Sequence, residues 1–121
     1  MSALLFLHNG LFRAGLLITV IIGVWGLLMF FRRVSPSASF RSTLVLTEGL
    51  FILQGLIGVG LIATGGRPKD PLHWLYGILL VITLPIAATY PAAKDERRQS
   101  LVYGIVGLFM AGLCIRAWMT H

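Results

Sequence analysis

The fold class this chain predicts is an all-α integral membrane protein, a four-transmembrane-helix up-down bundle, and three observations predict it. Hydrophobic residues make up 57% of the 121 residues and charged ones only 12%, about half the charged share of ordinary soluble domains. The apolar residues gather into four runs, about residues 3–31, 43–64, 72–90 and 101–119. Each is long enough to cross a hydrocarbon core about 30 Å thick, which takes about 20 helical residues. A segment crossing lipid must satisfy its own backbone hydrogen bonds, so each run reads as helix, and no strand-like alternation interrupts them. The whole length, 1–121, reads as a single membrane domain with no sizeable soluble module.

The first run lacks a charged leader and a small-residue cleavage site, so it reads as a retained span and not a signal peptide. Gly15, Thr19, Gly23 and Gly26 recur on it at a spacing of three to four, placing small residues on the face where lipid-embedded helices approach one another. The connection 32–42 carries Arg32, Arg33 and Arg41, with Ser35-Pro36-Ser37 as the turn former. The second run holds Gly49, Gly55, Gly58 and Gly60 and the one acid within a span, Glu48. Gly65-Gly66 closes it, and Pro71 opens the third helix where a missing N–H does no harm. Pro85 lies inside the third run and should kink it. The connection 91–100 carries Lys94, Arg97 and Arg98 beside Asp95 and Glu96, and the fourth run repeats the small stripe at Gly104, Gly107, Ala111 and Cys114. Such stripes predict a tightly packed interior and no wide channel.

Charge separates the two ends of the bundle. Connections 32–42 and 91–100 hold six bases against two in the middle one, Arg67 and Lys69. The positive-inside rule puts these two connections in the cytoplasm and both termini outside, in what reads as a bacterial inner membrane. The net charge of +6 then serves lipid headgroups and topology, not nucleic acid. The single cysteine, Cys114, lies within a span, which leaves no basis for intrachain disulfide or Cys-x-x-Cys chemistry.

The histidines are the candidates for chemistry. His8, His73 and His121 all fall at the outer end in this topology. At 100° per residue His8 lies within about 20° of Gly15, Thr19 and Gly26, on the packing face. His73 shares a face with Gly77, Leu80, Leu84 and Ala87, and Gly77 leaves space beneath the imidazole. His8 is 24 residues from Arg32 and His73 is 21 from Lys94, about 36 and 32 Å along straight helices, so the two imidazoles sit at similar depth. Two inward imidazoles on helices one and three suit bis-histidine ligation of a b-type haem. Arg13, Arg67, Lys69 and Arg116 lie at the same end and would neutralise its propionates. The arrangement resembles the small four-helix membrane anchors that hold haem b in respiratory complexes; the resemblance is architectural and covers the spans only. The alternative is an interfacial pair of histidines in an aromatic belt with Trp74, Tyr76 and Trp118.

Glu48 supports a rival from another class. An intramembrane acid is a functional candidate because its burial is costly, and Glu48 would serve proton or cation transport unless it pairs with Arg41 or Arg97. Gln54 lies deeper but about 120° round the helix, so the two do not form one site. Small multidrug transporters are similar in length and span number, but they keep their essential glutamate in the first span, where this chain has none. The string Gly66–Pro71 lacks the spacing of a phosphate loop. The reading favoured by the sequence is a small membrane subunit associated with an electron-transport complex, with haem b at His8 and His73. The alternatives are an accessory subunit without cofactor and a small transporter using Glu48. Whether the chain is an enzyme is left open by the sequence, and none of these readings requires it to be one on its own. The expected partners are the lipid bilayer, a larger membrane complex or a second copy, and a quinone or pigment between helices.

Overall fold

The computed structural model describes residues 2–34, 36–67, 70–90 and 96–120, without the side chains of Ser2, Glu96 and Arg97. The turn assigned to Ser35 and the candidates Lys69, Lys94, Asp95 and His121 lie outside the described residues, as does the Arg97 side chain. Among the described residues there are four α-helices and no strand: α1 (Ser2–Phe31), α2 (Ala38–Ala63), α3 (Leu72–Thr89) and α4 (Glu96–Thr120). All four are long and apolar enough to cross a membrane.

Two helices begin earlier than their hydropathy suggests. α2 starts at Ala38 because the Ser37 hydroxyl accepts a hydrogen bond from the Phe40 backbone N–H, satisfying one of the donors that a helix start leaves open. Phe40, on that first turn, is fully buried and packs edge-on against Trp25 at 5.2 Å between ring centres. The polar residues Ser39, Arg41 and Ser42 are therefore helical, not loop. α4 likewise begins at Glu96, drawn into helix ahead of its apolar run. The Ser100 hydroxyl donates to the Val34 carbonyl, and Arg41 donates to Gln99 Oε1, so the ends of α1, α2 and α4 are tied together there.

The C-termini of α1 and α2 close by the same device. Gly66 N–H reaches back to the Leu61 carbonyl and Gly65 N–H to Ile62, with Gly65 at φ +98°. This is the paired closure expected of a left-handed residue after a helix, as the glycine pair predicted. At the end of α1 the pattern recurs, with Val34 N–H on Met29 O and Arg33 N–H on Phe30 O. There the left-handed position, φ 57°, is occupied by Arg33, which has no glycine signature to announce it.

The helices pack as a ring, each against its neighbours in sequence and α4 back against α1. The α1–α4 seam is the most intimate. A Cβ placed on Gly26 would lie 2.7 Å from the Gly104 backbone, and one on Gly107 2.6 Å from Gly23 N. Thr19, Gly23, Gly26, Gly104, Gly107, Ala111 and Cys114 are all buried, so both small stripes serve the contact read from their spacing. Thr19 turns its hydroxyl to the Gly15 and Leu16 carbonyls and so enters the seam without an unsatisfied donor. Gly15, the next turn along α1, faces α2 instead, against Phe51.

The opposite seam differs from the tight interior expected. α2 and α3 make the fewest contacts of any neighbouring pair. Nothing approaches the place of a Gly49 Cβ, and the nearest atom to a Gly55 Cβ is Val81 Cγ2 at 4.0 Å. The α2 glycines do not seat a neighbouring backbone, because α1 is committed to α4 and α3 stands off. The core that remains, Phe51, Leu80, Leu84, Met110, Leu113 and Cys114, lies at mid-height.

Gly107→Ala and Gly26→Ala should each destabilise the bundle by about 1–3 kcal/mol, because the added methyl meets backbone that cannot rotate away. Gly112→Ala, with nothing within 4 Å of its Cβ, should stay within about 1 kcal/mol of wild type. Unfolding in detergent-resolved mixtures, followed by helical circular dichroism, ranks the three.

Candidate functional site

The loose α2–α3 seam leaves a cavity of about 760 Å³ at the end of the bundle that carries the Gly65–Gly66 turn. Its size lies within the range of about 300–1,000 Å³ usual for small-molecule and cofactor sites. All four helices contribute: His8, Asn9 and Phe12 from α1, Gln54, Gly55 and Gly58 from α2, His73 and Gly77 from α3, and Cys114 and Trp118 from α4. Aliphatic side chains supply most of the remaining wall. Phe12 and Trp118 stack at 4.5 Å and 19° and form one side of it.

His8 and His73 meet across this cavity. Their ring centres are 6.1 Å apart and the planes cross at 60°, although α1 and α3 are diagonal in the ring and do not touch as helices. The His73 imidazole is held from outside. The Asp70 carboxylate accepts from Leu72 N–H, and the Asp70 carbonyl accepts from His73 N–H. Asp70 N–H in turn donates to the Thr120 carbonyl, which ties the start of α3 to the end of α4. The His73 ring then faces α4, with Nδ1 2.8 Å from the Ala117 carbonyl and 3.3 Å from Thr120 Oγ1. A carbonyl only accepts, so Nδ1 carries a proton at this contact. His8 lies against α2: its Cε1 is 3.5 Å from where a Gly58 Cβ would be. Its backbone carbonyl accepts from Gln54 Nε2 at 2.7 Å.

Of the positions singled out from sequence, His8, His73, Gly77 and Arg67 come together around the cavity. Arg67 stands at its rim with NH1 on the Ile62 and Gly66 carbonyls, capping α2. Arg116 does not line the cavity; it reaches Tyr76, with Nε and NH2 each 3.4 Å from the phenol oxygen and the guanidinium 5.7 Å from the ring centre. Arg13 is exposed and also stands outside the lining. Glu48 lies elsewhere, on α2 toward the other end. Its Oε1 is buried with no hydrogen-bond partner, while Arg41, one of its expected partners, is engaged with Gln99.

Three contributors had weaker signals. Asn9 is adjacent to His8, but neighbouring helical residues point about 100° apart, so its presence in the lining depends on the cavity's width. Gln54 does not share a face with Glu48, and the face it does hold is the one toward His8. Phe12, one turn beyond His8, carried the spacing that marks it as a wall residue. No protein-family model matches the chain, and neither curated proteins nor solved structures yield a significant match.

In protein labelled with nitrogen-15 at histidine, His73 should show the Nδ1–H tautomer at neutral pH. Disrupting the end of α4 with Ala117→Pro should abolish that signature, because the carbonyl that selects the tautomer is displaced.

Proposed function

We propose that this chain is an integral membrane subunit that binds one b-type haem between His8 and His73 and serves a membrane electron-transport chain. The observation that carries the reading is the spacing of the two imidazoles. Two imidazoles that shared one metal ion through a nitrogen each, at metal–nitrogen bonds of about 2.0–2.1 Å, would have ring centres about 6 Å apart. The pair here stands at 6.1 Å. Among the described residues no three or more His, Cys, Asp or Glu side chains gather into one metal site. His8 and His73 would be the two residues to hold a haem iron.

The surroundings fit the same group. The Nδ1–H of His73 is engaged by a backbone carbonyl, the support that metal-ligating histidines usually have. Gly58 and Gly77 keep the cavity clear where larger side chains would fill it, and Arg67 at the rim offers positive charge for propionates. A haem iron so held supplies one-electron transfer between its ferrous and ferric forms. The chain's own part is to fix both imidazoles, exclude water with Phe12 and Trp118, and keep the site apolar.

The aliphatic side chains exposed around all four helices, such as Leu17, Val24, Val45, Leu56, Ile78 and Ile105, support lipid as the surrounding medium. The positive-inside rule puts the 32–42 and 91–100 connections in the cytoplasm and the histidine end outside. Partners are a larger membrane complex, a second copy, or a quinone exchanging electrons at the outer surface. If no haem binds, the accessory-subunit reading takes its place.

Protein purified from cells supplied with iron, or reconstituted with haem, should show a Soret band that shifts on reduction. His8→Ala and His73→Ala should lose the bound haem or change its spectrum sharply, and Gly77→Leu should weaken uptake by filling the cavity. His121→Ala should leave the spectrum unchanged. A wild-type protein that takes up no haem under these conditions overturns the reading.

A second reading rests on the unpartnered buried oxygen of Glu48, which is the environment of a proton- or cation-handling acid in a membrane. Glu48→Gln should then abolish substrate-coupled proton movement in proteoliposomes while the helix content stays at the wild-type level. Equal proton flux in wild type and variant removes this reading.

A further inference from the structure

Resting on the haem reading and on lipid as the surrounding medium, the walls of the cavity also bear on the side from which it is filled. Three of the four helix seams are bridged beside it. Phe12 stacks on Trp118 between α1 and α4, Gln54 donates to the His8 carbonyl between α2 and α1, and His73 is bonded to the Ala117 carbonyl between α3 and α4. The core residues Phe51, Leu80 and Cys114 form the floor. At the water end the connection from α2 to α3 crosses the wedge. Gly66 and Arg67 belong to the lining, the Arg67 guanidinium is bonded to the Ile62 and Gly66 carbonyls, and Asp70 N–H is tied to the Thr120 carbonyl.

The fourth seam, between α2 and α3, is different. The nearest atom to a Gly55 Cβ is Val81 Cγ2 at 4.0 Å, and nothing lies within 4 Å of a Gly77 Cβ. Ile52, Leu56 and Val59 on α2 and Trp74, Ile78 and Ile82 on α3 line the cavity, and each is more than a third exposed. Side chains that face the cavity and the outside together mark an opening. It runs about 10 Å along α2 from Ile52 to Val59 at 1.5 Å per residue. Leu5 and Trp118, the other large apolar lining residues with comparable exposure, stand at the helix ends. The rim of the opening is apolar and in a bilayer it meets acyl chains, whereas Arg67 places a cation at the aqueous end.

We propose that the cavity is filled laterally from the lipid phase, through the α2–α3 seam, by haem dissolved in the bilayer, with its carboxylates kept at the Arg67 end. A flat apolar molecule charged at one edge matches an apolar opening with a cation at one end. Such a ligand reaches His8 and His73 while the α1–α4 glycine seam stays shut and the connection at the water end stays in place.

The test uses full-length apoprotein in phospholipid vesicles loaded with haem, in a Cys114→Ala background carrying Gly55→Cys and Val81→Cys. Uptake is followed by the Soret band with the cysteine pair reduced and then oxidised. Oxidation should slow uptake about tenfold or more, since entry then needs the cross-linked helices to part. In protein loaded before oxidation, haem loss should slow to a similar degree, so that affinity changes little, and reduction should restore both rates. Gly55→Phe, which narrows the seam against Val81, replaces the pair if the bond does not form, and it too should slow both rates. Equal uptake rates in the oxidised and reduced protein overturn lateral entry and leave the bis-histidine site standing. So does a variant that loses affinity through faster haem loss, because its side chain then fills the cavity and does not block the opening. Failure of the bis-histidine reading itself is seen separately, as wild-type protein that takes up no haem from the same vesicles.

Discussion

Everything else in this bundle is arranged around the contact of α1 and α4, where backbone lies against backbone. Gly23 and Gly26 meet Gly107 and Gly104 at distances that leave no volume for a methyl group. In an apolar medium helices gain little from hiding hydrophobic surface, and association depends on dispersion contacts that fall away steeply with separation. A continuous glycine seam collects those contacts along most of two helices. Once α1 is committed to it, α2 packs on the remaining flank of α1, against Gly15 and along to Trp25 at one end and His8 at the other, and α3 is held chiefly by α4. The wedge between α2 and α3 is what a four-membered ring leaves when one seam closes far more tightly than the opposite one.

That asymmetry produces a site without a ligand-binding loop. The histidines approach from diagonal helices; the His73 ring is hydrogen-bonded to the last turn of α4, and the His8 ring lies against Gly58 of α2. Polar groups are few and mostly satisfied locally. Thr19, Thr43, Thr47, Thr83 and Thr120 all return their hydroxyls to carbonyls in the preceding turn, as helices in apolar surroundings require. Against that background the unpartnered oxygens of Asn9, Gln54 and Glu48 stand out. Two of the three belong to the cavity, which is where an incomplete hydrogen-bond inventory has a functional meaning.

Helix number, the contact face of α1 and α4 and the closure at Gly65-Gly66 were legible in the sequence, because each depends on the residue's own size or backbone freedom. The facing of His8 and His73 was legible too, since helical phase and distance from the loops both report on it. Other features were not. Ser37 extends α2 by a cap that hydropathy does not see, and Arg33 takes a left-handed conformation that no side-chain preference announces. The α2 glycines look like those of α1 and α4 in sequence, yet they line space, because whether a small residue admits a neighbour depends on what the other helices have already claimed. Arg116 carries the charge expected of a propionate partner, but a tyrosine on the adjacent helix was nearer, and spacing along one helix does not report such lateral competition.

The attachment of His73 to the end of α4 has a kinetic consequence. Its Nδ1–H is held by the Ala117 carbonyl beside Thr120, and Asp70 is tied to Thr120 as well, so the ring is moored to the terminal turn of a helix. Terminal turns open locally at far lower free energy than the fold as a whole. Each such opening releases the imidazole from its tautomer-selecting acceptor while the glycine seam stays shut. Any ligand held by His73 would then exchange by the fraying of a single turn, uncoupled from global unfolding. The orientation of the His73 ring thus depends on the last few residues of α4 more than on the rest of the bundle.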